Sequence, residues 1–92
     1  MEFEWDQAKT VSNSEKHGVL FEFAVRVFLD PFRVDVQDLR RDYNEERRIV
    51  LGIIDDDLIL VVYTTRDTMI RIISARKANS RERRQYDGSL HS

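Results

Sequence analysis

The order of hydrophobic and polar residues predicts a strand at the start of this chain, followed by a helix. Phe3 and Trp5 alternate with acidic residues, which is the period of a half-buried strand. Asp6 then supplies a side-chain acceptor for a helix N-terminus, and Gly18 supplies the left-handed residue that commonly ends a helix. The face between them is weakly apolar, so we expect a surface helix. Its exposed side is predicted to carry Lys9, Asn13 and Lys16.

A second helix is predicted from Phe21 to Asp30, where Pro31 closes it. Its core-facing residues recur at i, i+3, i+4 and i+7 and are Phe21, Ala24, Val25 and Phe28. Residues 32–37 alternate between apolar and polar, which predicts a strand with one face exposed to solvent. Residues 38–47 are rich in charge and are predicted to form a long loop.

Two nearly continuous apolar runs, 49–54 and 58–63, predict a central hairpin whose strands are covered on both faces. A tight turn at 66–68 leads into a last strand that begins at Met69. Together these segments predict a run of strands joined by short turns, which pair in antiparallel fashion.

Strict alternation along the last strand decides which residues share a face. It places Arg76 with Ile70 and Ile72, and it places Arg71 on the opposite face. A terminal helix follows, because Asn79 and Glu82 have the spacing of a capping box.

The predicted fold class is α+β, with an antiparallel meander sheet, two N-terminal helices and one C-terminal helix. At 92 residues the chain is predicted to form a single domain, 1–92. The last helix is expected to end at Gly88, and residues 89–92 are expected to be a frayed tail.

Composition narrows the class of protein. There is no cysteine, which excludes disulfides and thiolate metal sites, and the two histidines are well separated, so no metal or cofactor is expected. The acidic N-terminus lacks the apolar run of a signal peptide, and the longest apolar run, 58–63, is too short to cross a bilayer. We therefore expect a soluble cytoplasmic protein with no membrane partner.

Charge is distributed unevenly although the formal net charge is only −2. Residues 1–46 contain six Lys or Arg and eleven Asp or Glu, whereas residues 47–92 contain nine and six. The stretch 71–84 contains six basic residues and a single acid, Glu82. Such a patch favours an anionic ligand, although a charge run is often only a solvated face.

If the anionic ligand is RNA, these residues fit a metal-independent cleavage reaction. Guanidinium groups bind phosphate oxygens in a forked geometry and stabilise the charge that develops during cleavage. On this hypothesis Arg76 and Lys77 hold the phosphate, and His17 acts as base or acid because imidazole titrates near neutrality. Glu46 is an alternative base. Tyr86 either stacks on a nucleobase or donates a proton, if surrounding arginines lower its phenol pKa.

Each of these residues also has a purely structural interpretation. His17 precedes a glycine and fits a helix C-terminus, and Glu46 with Arg47 fits a surface ion pair. Tyr86 fits a ring packed on the sheet. The arginines of the last helix fit a role in solubility only. No Gly-rich phosphate loop, metal-ligand spacing or nucleophile elbow is visible in the chain.

Six blocks of sequence resemble the BrnT family of toxins from bacterial type II toxin-antitoxin systems. The first three are W-D-x-x-K (Trp5, Asp6, Lys9), N-x-x-K-H-G-V (Asn13, Lys16, His17, Gly18, Val19) and F-E-x-A (Phe21, Glu22, Ala24). The others are E-E-R (Glu45, Glu46, Arg47), R-I-I-S-A-R-K-A (Arg71 to Ala78) and R-R-x-Y (Arg83, Arg84, Tyr86). Six blocks in one order span nearly the whole chain, so the resemblance is specific.

The resemblance implies a RelE-like fold, an endoribonuclease activity that arrests translation, and a BrnA-like ribbon-helix-helix antitoxin that neutralises it and carries the DNA contact. The catalytic candidates are His17, Glu46, Arg47, Arg76 and Tyr86. The RNA-binding candidates are Lys16, Arg71, Lys77, Arg81, Arg83 and Arg84. The alternative is a non-catalytic binding module that acts in a complex with the antitoxin or a co-repressor.

The chain departs from the family pattern at three positions. Relatives often have serine at the position of Leu20, an acidic residue at the position of Phe23 and a histidine at the position of Arg41. The first two changes make the start of the second helix more apolar. The third leaves His17 as the histidine available for catalysis within the matched blocks.

Overall fold

A computed structural model describes residues 1–40 and 44–90 as one five-stranded sheet with helices on both faces. The strands are β1 (Glu2–Glu4), β2 (Val34–Gln37), β3 (Arg48–Ile54), β4 (Asp57–Arg66) and β5 (Met69–Lys77). The helices are α1 (Gln7–His17), α2 (Phe21–Ala24) with a 3₁₀ helix directly after it (Val25–Leu29), and α3 (Ser80–Ser89). Arg41, whose departure from the family pattern was noted above, lies outside the described residues.

The sheet is mixed, so the predicted purely antiparallel meander is wrong at its first strand. Strands β2 to β5 do form an antiparallel meander, and the sheet order is β1-β5-β4-β3-β2. β1 pairs with β5 in parallel, with Glu2 opposite Met69 and Glu4 opposite Arg71. This pairing joins the first strand of the chain to the last one. The local alternation of apolar and acidic residues around Phe3 does not show which strand β1 pairs with.

β5 contains a β-bulge that the predicted alternation did not include. Tyr63 of β4 pairs with Ile72, but the preceding residue, Val62, pairs with Ser74, so Ile73 is an extra residue on β5. A bulge of this kind shifts all later side chains to the other face. The predicted grouping of Arg76 with Ile70 and Ile72 is therefore wrong.

Each face of the sheet has its own apolar cluster. One face packs under α1 and α2 and includes Phe21, Val27, Ile59 and Ile72, all at most 1% exposed. The other face packs under α3 and is built on the leucines of β3 and β4 together with Tyr86. The prediction that the β3–β4 hairpin is covered on both faces is confirmed.

α1 is attached to the sheet through polar side chains rather than an apolar stripe. Asp6 caps its N-terminus and Gly18, with φ of 72°, ends it, as predicted. Asn13 was predicted to be exposed but is 8% exposed, which corrects the prediction. Its amide donates to the carbonyls of Val19 at 2.8 Å and Ala75 at 2.7 Å and accepts from the Ala75 N–H at 3.1 Å. Asn13 thus takes the place of a neighbouring strand at the outer edge of β5.

The second predicted helix is split into α2 and the 3₁₀ helix. Leu20 occupies the N-cap of α2 and makes no side-chain hydrogen bond there. Val27 packs against β3 at Gly52, where a Cβ atom would lie 2.9 Å from the Val27 carbonyl oxygen. This close approach requires glycine, and it brings the 3₁₀ helix onto the middle of the sheet.

α3 begins with the predicted capping box, in which Asn79 and Glu82 each bind the backbone N–H of the other at 2.9 Å. The helix runs through Gly88 to Ser89, so the predicted end at Gly88 is wrong. The Ser89 hydroxyl donates to the Tyr86 carbonyl at 2.7 Å, which holds the last turn together.

Candidate functional site

Arg71, Ser74 and Arg76 lie on one face of β5, the face that packs under α3. Arg71 pairs with Thr64, Ser74 with Val62 and Arg76 with Leu60. These three β4 partners are spaced by two residues, and directly paired residues share a face. We call this surface the β5 polar face (Arg71, Ser74, Arg76). It exists because the bulge at Ile73 reverses the alternation between Arg71 and Arg76.

Arg76 is held by Glu82 at the start of α3. Arg76 Nη1 and Nη2 donate to Glu82 Oε1 and Oε2, each at 2.7 Å. Arg76 Nη1 also donates to the Lys77 carbonyl at 3.2 Å. The hydrogen bonds from Arg76 lower the pKa of Glu82 below its ordinary value, with smaller effects from the Asn79 N–H and the nearby Arg40. The structure gives Arg76, which the sequence predicted to hold a phosphate, a structural role: it connects β5 to α3.

Lys77 does not share a face with Arg76. It pairs with Ile59, on the opposite face of the sheet, and lines a cavity of about 400 Å³ with Gly18, Leu20 and Phe23. The two residues predicted to hold one phosphate together are separated by the sheet, and only Arg76 belongs to the β5 polar face.

Lys16 and His17 lie at the outer edge of β5, beside Ser74. Both line an open cavity of about 200 Å³ whose floor is formed by Ile73 and Ser74. Ser74 and Arg76 are two residues apart on the same face, which separates them by roughly 6–7 Å along the strand. Lys16 and His17 thus lie beside Ser74, which shares the β5 polar face with Arg71 and Arg76.

Glu46 and Arg47 lie across β4 from this group. The Glu46 carbonyl accepts a hydrogen bond from Thr64 Oγ1 at 2.7 Å, and Thr64 is the β4 partner of Arg71. The Glu46 carboxylate binds Arg48 at 3.1 Å, and Arg47 binds Glu45 at 3.2 Å. Neither of these is the pair of Glu46 with Arg47 that was expected from the sequence.

Tyr86 is buried and faces away from solvent. The residue is 4% exposed, and its hydroxyl donates to Asp30 Oδ2 at 2.6 Å. The proposed lowering of its pKa by arginines is wrong, because burial and then the Asp30 carboxylate raise the pKa of Tyr86 to about 12. The structural interpretation, a ring packed on the sheet, is the one that the structure shows.

The remaining RNA-binding candidates lie on the exposed side of α3. Arg81, Arg83 and Arg84 are all solvent-exposed, and α3 buries only Tyr86. They widen the positive potential beside Arg76. They do not line the cavity that contains His17.

A charged cluster that sequence reasoning missed lies on the face that packs under α1 and α2. Arg48 Nε binds Asp35 Oδ1 at 2.7 Å, and the Tyr63 hydroxyl donates to the other oxygen of the same carboxylate. Burial, followed by the Asp35 hydrogen bond and charge, raises the pKa of Tyr63 to about 12. The three residues are distant in sequence, and only the pairing of β2, β3 and β4 brings them together.

Within residues 1–40 and 44–90, no helix is long and apolar enough to cross a membrane. Across the same residues, no three His, Asp or Glu side chains are grouped closely enough to hold a metal ion.

The fold and the site together define a small α+β protein that gathers basic side chains on one face of a mixed sheet. A family model for the ribonuclease toxin, BrnT, of type II toxin-antitoxin systems matches residues 5–82. The match covers most of the 92 residues, so the chain belongs to this family, and the resemblance in the six sequence blocks is confirmed. A search of curated proteins found no match.

Proposed function

We propose that this protein is an RNA-cleaving toxin that arrests translation in the cytoplasm. The family match over residues 5–82 carries the proposal, because the family is described as a ribonuclease toxin of a type II toxin-antitoxin system. Membership implies an antitoxin partner. We propose a BrnA-like antitoxin with a ribbon-helix-helix domain, so that the toxin reaches DNA only through its partner.

The grouping of basic side chains around Ser74 supports RNA as the substrate. Arg71 and Arg76 share a face, and Lys16 and His17 lie at its edge. An RNA strand that runs from the edge of β5 onto this face would contact Lys16 and His17 first and the two arginines next. The substrate phosphate competes with Glu82 for the Arg76 guanidinium, since both offer paired oxygens to the same fork.

We propose a metal-independent reaction in which the 2′-hydroxyl of RNA attacks the adjacent phosphorus. A bond forms between O2′ and phosphorus, and the bond from phosphorus to the 5′-oxygen of the next nucleotide breaks. A base accepts the 2′-hydroxyl proton, and an acid gives a proton to the leaving 5′-oxygen. His17 serves one of these roles, with Glu46 as the alternative base, and Arg76 stabilises the negative charge that develops on the phosphoryl oxygens.

Two catalytic candidates, Arg47 and Tyr86, are less well placed for the reaction than the others. Arg47 is paired with Glu45, and Tyr86 is buried against Asp30. We therefore assign Tyr86 a role in holding α3 rather than in the reaction. Arg47 is proposed to contribute positive potential near the Glu46 carbonyl.

The proposal is tested by expressing the protein with and without its antitoxin and by measuring RNA cleavage in vitro. We expect loss of bulk translation without the antitoxin, and cleavage by the purified protein that persists when a chelator removes divalent cations. Continued growth together with intact RNA would contradict the proposed ribonuclease activity. If RNA stays intact but Arg76→Ala abolishes antitoxin binding, the protein is instead a non-catalytic binding module.

A further inference from the structure

The cavity between α1 and β5 is lined by donors from two elements. Lys9, Ser12 and Lys16 of α1 project into it, and Ser74 of β5 forms part of its floor. We propose that this cavity binds one phosphodiester group of the RNA, next to the group held by Arg76. The inference rests on the proposed function and extends it to Lys9, Ser12 and Ser74, which the sequence did not identify as RNA-binding residues.

The cavity forms because β1 covers only part of the outer edge of β5. β1 pairs with residues 69–71, and beyond them α1 runs along the edge. Asn13 fixes the helix there through both backbone groups of Ala75. Lys9, Ser12 and Lys16 have the i, i+3 and i+7 spacing of a single helix face, so they point to the same side of α1.

The chemistry of the lining matches a phosphodiester. Two ammonium groups, one imidazole and two hydroxyls can donate to phosphate oxygens. Within the part of the chain that the structure describes, no carboxylate lines the cavity, and Lys9, Lys16 and His17 form no ion pair. A volume of about 200 Å³ accommodates one phosphate group with part of its sugar.

The bulge at Ile73 connects this cavity to the β5 polar face. It turns Ser74 to the face that carries Arg76, and bulges commonly re-aim side chains beside functional sites. The spacing of roughly 6–7 Å between two residues on one strand face suits neighbouring phosphates of an extended single strand. His17 lines the same cavity, so a bound phosphate would lie beside the proposed acid or base.

An RNA phosphate fits the cavity better than an acidic segment of the antitoxin. Apart from Ile73, the side chains that line it are polar or charged, and five of them offer an ammonium, imidazole or hydroxyl donor. Protein interfaces usually bury an apolar centre, whereas nucleic-acid contacts are dominated by basic and hydroxyl donors to phosphate.

The test uses the full chain and a labelled single-stranded 2′-O-methyl RNA, which keeps its phosphates but cannot be cleaved through the 2′-hydroxyl. Fluorescence anisotropy over a range of salt concentrations gives the affinity and its salt slope. We expect Lys9→Ala and Lys16→Ala each to lower the slope by about 0.7, the value for one lost phosphate contact on a single strand. Ser74→Ala should weaken binding, and Ser74→Thr, which keeps the hydroxyl, should restore it.

Gln7→Glu is the matched control. It lowers the net charge by the same amount as Lys9→Ala, on the same helix, but about 200° around the helix axis from Lys9. Its slope should equal that of the unchanged protein. If Lys9→Ala behaves like Gln7→Glu while the unchanged protein cleaves ordinary RNA, the cavity assignment is wrong and the proposed function stands. If the unchanged protein neither binds nor cleaves RNA, both are wrong.

Discussion

Arg71 and Arg76 lie on the same face of the sheet because β5 carries one extra residue, Ile73, between them. Without the bulge, five residues of regular strand would place the two guanidinium groups on opposite faces. The two arginines of the R-I-I-S-A-R-K-A block therefore share a face only because of the bulge at Ile73. The stability of that irregularity and the availability of Arg76 are the properties to test.

Glu82→Gln should raise the affinity for single-stranded RNA several-fold. The carboxylate holds Arg76 through two bonds of 2.7 Å, so its neutralisation frees the guanidinium for phosphate. The same change replaces the ion pair between α3 and β5 with a neutral contact and should lower the free energy of unfolding by roughly 1 kcal/mol. Anisotropy and urea unfolding give the two quantities.

Asp55→Asn is the control for that experiment, because Asp55 also binds an arginine, Arg26, through both oxygens. It removes the same charge at a site outside the β5 polar face. Equal gains in RNA affinity for Glu82→Gln and Asp55→Asn would mean that only net charge matters and that Arg76 is not released toward RNA.

Tyr86→Phe should destabilise the protein without changing the chemistry. The variant loses a buried hydrogen bond to a carboxylate, which is worth about 1–3 kcal/mol, while the ring still packs. Denaturant unfolding measures the loss, and cleavage of RNA at a temperature where both proteins are folded measures activity. A loss of RNA cleavage with an unchanged free energy of unfolding would contradict this structural role and support a catalytic one.

Asp30 makes the stability depend on pH in acid. Burial alone would raise the pKa of its carboxyl, but three hydrogen bonds and the charge of Arg33 outweigh burial and hold the pKa below the ordinary value of 3.8. The unfolded chain therefore binds this proton more readily than the folded protein does. The stabilisation is present above the ordinary value and is lost as the pH falls through the folded-state pKa.

Urea unfolding at several values between about pH 6 and pH 2 measures this dependence. Asp30→Asn should show a shallower fall in the free energy of unfolding than the unchanged protein, from a lower starting value. The pKa of Glu82 is also lowered, so Glu82 adds to the loss of unfolding free energy as the pH falls. An Asp30→Asn profile parallel to that of the unchanged protein would contradict the assigned role.

Asn13→Ala should cost at least about 2 kcal/mol of unfolding free energy. The change leaves the Val19 carbonyl and both backbone groups of Ala75 without their partner, and each buried unsatisfied group costs about 1–3 kcal/mol. Glu15→Ala, on the exposed side of α1, is the matched control and should stay within about 0.5 kcal/mol. Similar costs for the two variants would show that α1 is not anchored through Asn13.

The features that were predictable from sequence are those that depend on neighbouring residues. The caps at Asp6, Gly18 and Asn79 were predicted because each lies within a few residues of the groups that it satisfies. The β3–β4 hairpin was predicted because two uninterrupted apolar runs flank three aspartates. In both cases the physical cause is local, and so is the sequence signal.

The features that were missed depend on contacts between distant residues. The burial of Asn13 follows from its contact with Ala75, 62 residues later. The bulge at Ile73 follows from how β5 fits both β4 and the two apolar clusters, and a strictly alternating pattern does not show it. The family blocks identified the basic residues, but the separation of Arg76 from Lys77 required the sheet.

The measurement that tests the account most directly is the single-turnover rate of RNA cleavage by Arg76→Ala and Arg26→Ala. Both variants remove an arginine that is bound bidentately to a carboxylate, and only Arg76 lies on the β5 polar face. We predict a fall on the order of 100-fold for Arg76→Ala, as expected for a group that stabilises transition-state charge, and little change for Arg26→Ala. Equal rates for the two variants would contradict the assignment of RNA cleavage to this face.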